Sequence, residues 1–244
     1  MNLLIDGRYR MSVTGLTERE DDEHKDSFLY WIRNHYSSVQ GHIAGQLKVF
    51  KAITGEVSTI NEYFGGSGMG TMMLQRIFKP TIHSVWDIDP MCVSNLETLK
   101  ETHGFNNLVV AEGDAKSTIL SAEQCDLEVL DFNRFSPSKI RTWKDQFDAV
   151  FKRTPKWIYL VDTAQSRVPL LRKAFSDALG YPVVNREDCL RGYSKYFFEH
   201  YSYIVEYGAY SNFACMLLKP SDIYVEPSLE KISRLDGMGA LQTW

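Results

Sequence analysis

A glycine-rich segment contains the residues of this chain that most directly suggest chemistry. Residues 57–71 are a β-branched run that ends at Glu62 and is followed by Gly65, Gly66 and Gly68. Glycines at such a turn allow positive φ angles and a close approach of the backbone to a ligand. The apolar spacing of the residues that follow predicts a helix. The segment therefore predicts a strand, a tight turn and a helix that bind a nucleotide cofactor.

Carboxylates at the ends of later predicted strands favour this interpretation, because a glycine cluster alone is equally typical of a plain loop. Asp87 follows an apolar run about 20 residues after the glycines, where a ribose-binding acid belongs in a βαβ nucleotide fold. Three further predicted strands end in acids, at Asp114, Asp131 and Asp162. Open parallel sheets bind ligands at the carboxyl ends of their strands, so the sequence predicts a site beside Glu62 and these four aspartates.

With these motifs, residues 55–220 resemble a class I S-adenosylmethionine (SAM)-dependent methyltransferase. In that family an acid and a Gly-x-Gly turn, here Glu62 to Gly68, cradle the methionine part of the cofactor. The version Phe64-Gly-Gly66-Ser-Gly68 resembles the form common in methyltransferases that act on amino groups of nucleic acids. Because it lacks the dehydrogenase fingerprint, a dinucleotide-dependent dehydrogenase is disfavoured.

The resemblance also implies which residues contact the cofactor. Asp87 would hold the ribose, Asp114 and Ala115 would flank the adenine, and Ile88 would stack on the ring. The full set implied for cofactor binding is Glu62, Phe64, Gly65, Gly66, Gly68, Asp87, Ile88, Asp114, Ala115 and Asp131.

The end of the fourth predicted strand is where the acceptor of the methyl group is expected. Methyltransferases of base amino groups resemble one another in an Asp/Asn-Pro-Pro-aromatic motif, and this chain has Asp131-Phe132-Asn133-Arg134-Phe135 instead. Both prolines are missing, which weakens the case for amino-group methylation. Asp131 and Asn133 are candidates to orient an amine or hydroxyl, with Phe132 or Phe135 stacking; the alternative is that Asp131 caps the next segment. No cysteine lies here, so cytosine C5 methylation, which needs a thiolate, is disfavoured.

Three functions follow from this pattern. The favoured one is a methyltransferase that acts on a nucleic acid by direct in-line transfer. The second is a methyltransferase for a protein or a small molecule, which would account for the acidic balance and the absent prolines. The third is a non-catalytic protein that keeps the fold as a binding or structural subunit.

Composition fits a globular enzyme of 244 residues, with a net charge of −4. No apolar run approaches the ~18 residues that cross a bilayer, and no signal-peptide pattern is present, so we expect a cytoplasmic protein. The four cysteines are scattered without a Cys-x-x-Cys pair, so no metal site is expected. A basic stretch over residues 134–156 could contact a nucleic-acid backbone, although an ordinary solvated helix face is the more probable interpretation.

The order of predicted elements indicates an α/β protein with a Rossmann-like sheet and helices on both faces. By resemblance, the strand order is 3-2-1-4-5-7-6 with the last strand antiparallel. We expect an N-terminal helical extension over residues 1–54, weakened at Gly41 and Gly45. The methyltransferase domain would occupy residues 55–220 and a C-terminal arm residues 221–244. The aromatic N-terminal helices and this arm are candidate surfaces for a protein partner or for oligomer formation.

Overall fold

The computed structural model describes residues 2–5, 9–12, 39–66, 68–132, 137–162, 168–210 and 214–232. It begins with two short strands, β1 (Asn2–Ile5) and β2 (Tyr9–Ser12), which pair antiparallel. Helix α1 (Val39–Thr54) follows and continues through both Gly41 and Gly45 without a break. The N-terminal extension is therefore not purely helical. The Asp6-Gly7 dipeptide between the strands is a hairpin signal in the sequence.

Strands and helices then alternate along the chain, as a parallel sheet with crossover helices requires. In chain order they are β3 (Thr59–Glu62), α2 (Met69–Phe78), β4 (Ile82–Asp87), α3 (Pro90–His103), β5 (Leu108–Glu112), α4 (Ala115–Ser121), β6 (Leu127–Phe132), α5 (Pro137–Thr142), α6 (Lys144–Lys152), β7 (Trp157–Asp162), α7 (Val168–Leu179), α8 (Arg186–Tyr201), β8 (Tyr203–Tyr210), β9 (Ala214–Pro220) and β10 (Ser228–Lys231).

Strands β3 to β10 form one sheet in the order β5-β4-β3-β6-β7-β9-β8-β10. Strands β3, β4 and β5 pair in parallel, as do β6 and β7. Strand β9 runs antiparallel to both β7 and β8. Counted from β3, this is the predicted order 3-2-1-4-5-7-6, with one additional strand, β10, beyond β8.

Two compact units divide the chain, one containing residues 1–115 and 234–244 and the other residues 116–233. In the first unit, Val85, Leu96 and Leu108 form a core cluster between the sheet and α3. Helix α3 begins at Pro90 because Asp89 caps it: the Asp89 side chain accepts a hydrogen bond from the backbone N–H of Met91. The cap fixes the point at which the chain leaves β4.

The second unit has an aromatic core. Phe151 stacks on Tyr201 with ring centroids 4.1 Å apart and packs edge-on against Tyr203. Beneath it, Arg153 forms an ion pair with the buried Glu128, with nitrogen and oxygen 2.8 Å apart. A buried pair of this kind is costly to break, since it leaves an uncompensated charge in the interior.

Helix α8 is held in the second unit by capping and packing contacts. It begins with a reciprocal capping box, in which the Asn185 side chain accepts from the Asp188 N–H and the Asp188 carboxylate accepts from the Asn185 N–H. Tyr193 is fully buried on this helix. Arg191 pairs with Glu187 and Glu226. These contacts give the helix a structural role.

Strand β10 lies within the segment predicted to be an extended C-terminal arm. It pairs in parallel with β8, from Ser228 opposite Tyr207 to Lys231 opposite Tyr210. The Tyr207 hydroxyl donates a hydrogen bond to the Glu230 carboxylate. Part of the predicted arm is therefore the edge of the sheet.

Candidate functional site

The turn between β3 and α2, here called the glycine loop (residues 63–68), has the backbone that its glycines permit. Gly66 and Gly68 have φ angles of +52° and +84°. Gly68 stands at the N-cap of α2 in a left-handed conformation that disfavours residues with a Cβ. The loop closes through hydrogen bonds from the Gly65 N–H to the Trp86 carbonyl and from the Gly68 N–H to the Gly65 carbonyl.

Asp87, at the end of β4, connects three loops of the first unit. Its Oδ2 accepts from the Gly66 N–H at 2.7 Å, and its Oδ1 accepts from the Asp89 N–H at 2.9 Å. Its backbone carbonyl accepts from the Gly113 N–H at 3.0 Å. The turns after β3, β4 and β5 therefore converge on this one residue. Each carboxylate oxygen has more than one lone pair, so the side chain keeps the capacity to accept from a ligand.

Glu62, the last residue of β3, lies beneath the glycine loop and is only 2% exposed. Its Oε2 accepts from the Thr71 hydroxyl at 2.8 Å and contacts Nε2 of His83 at 3.0 Å. Nδ1 of His83 lies 3.3 Å from the amide nitrogen of Gln75. The Asn107 amide extends this series of hydrogen bonds, since its Nδ2 donates to the Gln75 side-chain oxygen and to the Pro80 carbonyl.

Four of these side chains, Thr71, Gln75, His83 and Asn107, were not identified from the sequence. The available signal was the placement of polar residues on positions facing the interior. Thr71 and Gln75 are one turn apart on an otherwise apolar helix face, and His83 alternates with Val85 on the inward side of β4.

The residues implied for adenine binding lie around the same loops. Ile88 directly follows Asp87 and is 64% exposed, so its side chain is accessible beside the turn. Asp114 is exposed and Ala115, the first residue of α4, is buried. Phe64 is half-buried in the glycine loop.

The residues implied for the acceptor are described less fully. Asp131 is the second-last residue of β6, and the structure describes its strand position only. Asn133 and Phe135 lie outside the described residues. Their roles remain predictions.

Cysteine nucleophiles and metal clusters find no support in the described part of the chain. All four cysteines are buried. Burial, reinforced by the neighbouring Asp87 and Asp89 carboxylates, raises the pKa of Cys92 to about 12, so its thiol stays protonated. Among the described residues there is no group of three or more side chains suited to hold a metal ion, and no helix is long and apolar enough to cross a bilayer.

Three residues of the basic stretch over residues 134–156 form ion pairs in the second unit. Lys144 pairs with Asp148, Arg153 with Glu128, and Lys156 with Asp126. These partners neutralise three of the seven basic residues of the stretch, Arg134, Lys139, Arg141, Lys144, Lys152, Arg153 and Lys156. The ion pairs favour the interpretation as an ordinary helix surface.

Comparison with known proteins identifies the fold. No family model and no curated protein sequence matches the chain. Among solved structures, the chain is similar to Trm1 from Pyrococcus horikoshii, solved with S-adenosyl-L-methionine, at a TM-score of 0.55 and 8% identity over 82% of this chain and 56% of that one.

Two further structures match over most of their own length. A methyltransferase from Geobacter sulfurreducens has a TM-score of 0.52 and 14% identity, covering 88% of this chain and 94% of its own. A candidate RNA methyltransferase from Pyrococcus horikoshii has a TM-score of 0.50 and 10% identity, covering 73% of this chain and 84% of its own. With the strand order described above, these similarities show that the chain has the Rossmann-like fold of class I methyltransferases.

Proposed function

We propose that this chain is a SAM-dependent methyltransferase. The observation that carries the proposal is the convergence of three loops on Asp87, at the carboxyl ends of parallel strands in a methyltransferase fold. The surroundings fit a ligand. A Cβ added to Gly66 would meet nothing closer than the Phe64 carbonyl oxygen at 4.0 Å, so the backbone there borders open space.

Each part of the cofactor has a matching group in the first unit. The Asp87 carboxylate would accept hydrogen bonds from the ribose hydroxyls, and the exposed Ile88, with Asp114 and Ala115, would contact the adenine. The glycine loop, supported from below by Glu62, would hold the methionine part. When bound, SAM would supply a sulfonium methyl group to a nucleophilic atom of the acceptor. The methyl–sulfur bond would break as the new bond forms, the thioether S-adenosylhomocysteine would leave, and the acceptor's proton would pass to solvent.

We further propose that the acceptor belongs to a nucleic acid. Two observations support this class: the sequence Phe64-Gly-Gly66-Ser-Gly68, and the similarity of fold to a candidate RNA methyltransferase. Asp131 and Asn133 would orient the accepting amine or hydroxyl and Phe135 would stack on the base. Holding the acceptor in line with the methyl group is the main catalytic contribution that such residues make.

The cofactor assignment is tested by calorimetric titration with SAM and with S-adenosylhomocysteine (SAH). Asp87→Ala should weaken binding of both by about 1.5–3 kcal/mol, the range for hydrogen bonds to a charged group. Asp177→Ala, which removes an exposed carboxylate from α7 in the second unit, is the matched control and should bind normally. Equal affinity of wild type and Asp87→Ala would remove the site assignment.

The acceptor assignment is tested by incubating the enzyme with radiolabelled SAM and pools of RNA, DNA and protein. Label should enter a nucleic acid, and Asp131→Ala should lower turnover much more than it lowers SAH affinity. Label that enters the protein pool alone would show that the nucleic-acid assignment is wrong.

A further inference from the structure

Beneath the glycine loop, the side chains of Asn107, Gln75, His83 and Glu62 form a buried chain of hydrogen bonds, here called the polar chain. The donor and the acceptor of each hydrogen bond follow from the partner at the Asn107 end. The Pro80 carbonyl can only accept, so the Asn107 amide must present its nitrogen there, at 2.7 Å. The same nitrogen donates to Oε1 of Gln75 at 3.0 Å. The orientation of the Gln75 amide is thereby fixed, with its nitrogen toward His83.

This orientation determines the tautomer of His83. The Gln75 amide nitrogen can only donate a hydrogen bond. Nδ1 of His83, 3.3 Å away, must therefore accept and carries no proton. The ring proton is then on Nε2, which donates to Oε2 of Glu62 at 3.0 Å. A proton on Nδ1 would face another donor in a site where the imidazole is 0% exposed, and two donors that face each other in the interior are costly.

Glu62 connects His83 to the glycine loop through hydrogen bonds. Glu62 ends β3 and Thr71 lies in the first turn of α2, so the 2.8 Å hydrogen bond between them ties together the two ends of the loop. The other oxygen of Glu62, Oε1, lies 3.1 Å from the position that a Cβ of Gly70 would occupy. The carboxylate therefore packs directly against the backbone of that turn, and any change in its position displaces the loop.

We infer that His83 is a positioning residue of the cofactor site: as the neutral Nε2–H tautomer it orients Glu62, which with Thr71 sets the geometry of the glycine loop. This inference rests on the proposed function, since it assigns the purpose of that geometry to SAM binding. His83 lies on β4, four residues before Asp87. In this role it would affect the affinity for the cofactor without contacting the cofactor.

The tautomer itself is tested without any ligand, by nitrogen-15 NMR of the histidine-labelled protein. The His83 resonances are identified as those absent from His83→Gln. We expect an unprotonated Nδ1 and a protonated Nε2 at pH 7. A proton on Nδ1, in either the other tautomer or the imidazolium, would overturn the inference.

The positioning role is tested by SAH affinity together with conservative rescue. Thr71→Val, which keeps the side-chain shape, and His83→Phe should each weaken SAH binding about 10- to 100-fold, the equivalent of one hydrogen bond to a charged group. In His83→Gln the amide nitrogen reaches about as far as Nε2 of histidine, so binding should return to within about threefold of wild type.

A control separates this effect from a loss of stability. Ser194→Ala removes a fully buried hydroxyl of the second unit that accepts from the Val205 N–H, so its unfolding midpoint should fall while SAH affinity stays unchanged. If wild type binds SAH and both Thr71→Val and His83→Phe bind it equally well, the polar chain is only structural and the inference fails. If wild type binds neither SAM nor SAH, the proposed function fails first and the inference falls with it.

Discussion

Two adjacent glycines in the glycine loop are required for different reasons. A Cβ at Gly65 would lie 2.6 Å from Leu96 and 2.7 Å from Val85, so this position is closed by core packing. At Gly66 the space is open, and only the φ angle of +52° disfavours a side chain. Gly65 therefore serves the fold, whereas Gly66 borders the space proposed for the cofactor.

Gly66→Val should abolish SAH binding, because the new side chain fills the space in which backbone and ligand meet. The left-handed backbone alone should cost about 1–2 kcal/mol of unfolding free energy. Gly180→Val is the matched control, since Gly180 has a φ angle of +61° with nothing within 4 Å of its hypothetical Cβ. Urea unfolding should show similar losses for the two variants, with calorimetry showing lost binding for Gly66→Val alone. Normal SAH binding by Gly66→Val would contradict the placement of the site.

Features that depend on neighbours along the chain could be predicted from the sequence. The left-handed glycine turn and the strand that ends at Asp87 are such local features, and the structure contains both. The role of these residues in cofactor binding stays a prediction. His83 was missed because its importance comes from Glu62, Gln75 and Asn107, which the fold brings together from three other segments. The close packing of Gly65 could not be predicted either, since Val85 and Leu96 approach it only in the folded sheet.

At the scale of elements, helix α8 forms although the residues along it have only modest helix propensity. Asn185 and Asp188 form the capping box at its start. The residues after them include Gly192 and several aromatics, which have modest helix propensity. The structure explains the glycine, because a Cβ there would lie 3.0 Å from Leu179 and 3.3 Å from Tyr181. Tertiary packing, not propensity, stabilises this helix.

The first turn of α8 should give a measurable pH dependence. The hydrogen bond from Arg191, with a second from the Tyr210 hydroxyl, lowers the pKa of Glu187 from its ordinary 4.5. A lowered folded-state pKa stabilises the protein above the ordinary value, and this contribution is lost as the pH falls through the folded-state value. Glu187→Gln should therefore destabilise by about 0.2–1 kcal/mol at pH 7, the range for an exposed pair.

Urea unfolding of wild type and Glu187→Gln at neutral and acidic pH checks this expectation. The difference between them should shrink once the pH is below 4.5. Glu199→Gln, on the same helix with a 3.7 Å contact to Lys195, is the control and should behave like wild type at pH 7. A difference that does not depend on pH would mean that the charge of Glu187 is not what stabilises the helix.

At the scale of the whole molecule, the sheet order was predicted through the resemblance to class I methyltransferases, and the alternation of strands and helices in the sequence fits the parallel part of that sheet. The three additional strands, β1, β2 and β10, were not predicted from the sequence. Strand β10 is only four residues long, and its place is set by β8, including the packing of Leu229 over Gly208. Strands β1 and β2 are equally short and lie in the N-terminal extension, residues 1–54, which was expected to be helical.

Charge distribution leads to a prediction for nucleic-acid binding. The net charge is −4, and three cations of the basic stretch are already paired with carboxylates. Binding of an RNA substrate should therefore release few counterions. The slope of log affinity against log salt concentration should correspond to about four phosphates or fewer. Fluorescence anisotropy over a salt series measures it, and a much steeper slope would reveal a basic surface beyond this stretch.

The position of β10 at the edge of the sheet affects the exposure of β8 while the chain is being synthesised. Strand β8 lies between β9 and β10, and the second of these partners begins 14 residues after the first, at Ser228 compared with Ala214. Until residues 228–231 leave the ribosome, the row of backbone amides and carbonyls on that side of β8 has no strand beside it. A nascent chain halted in this interval would expose a template for another chain, and completion of the last strand removes it.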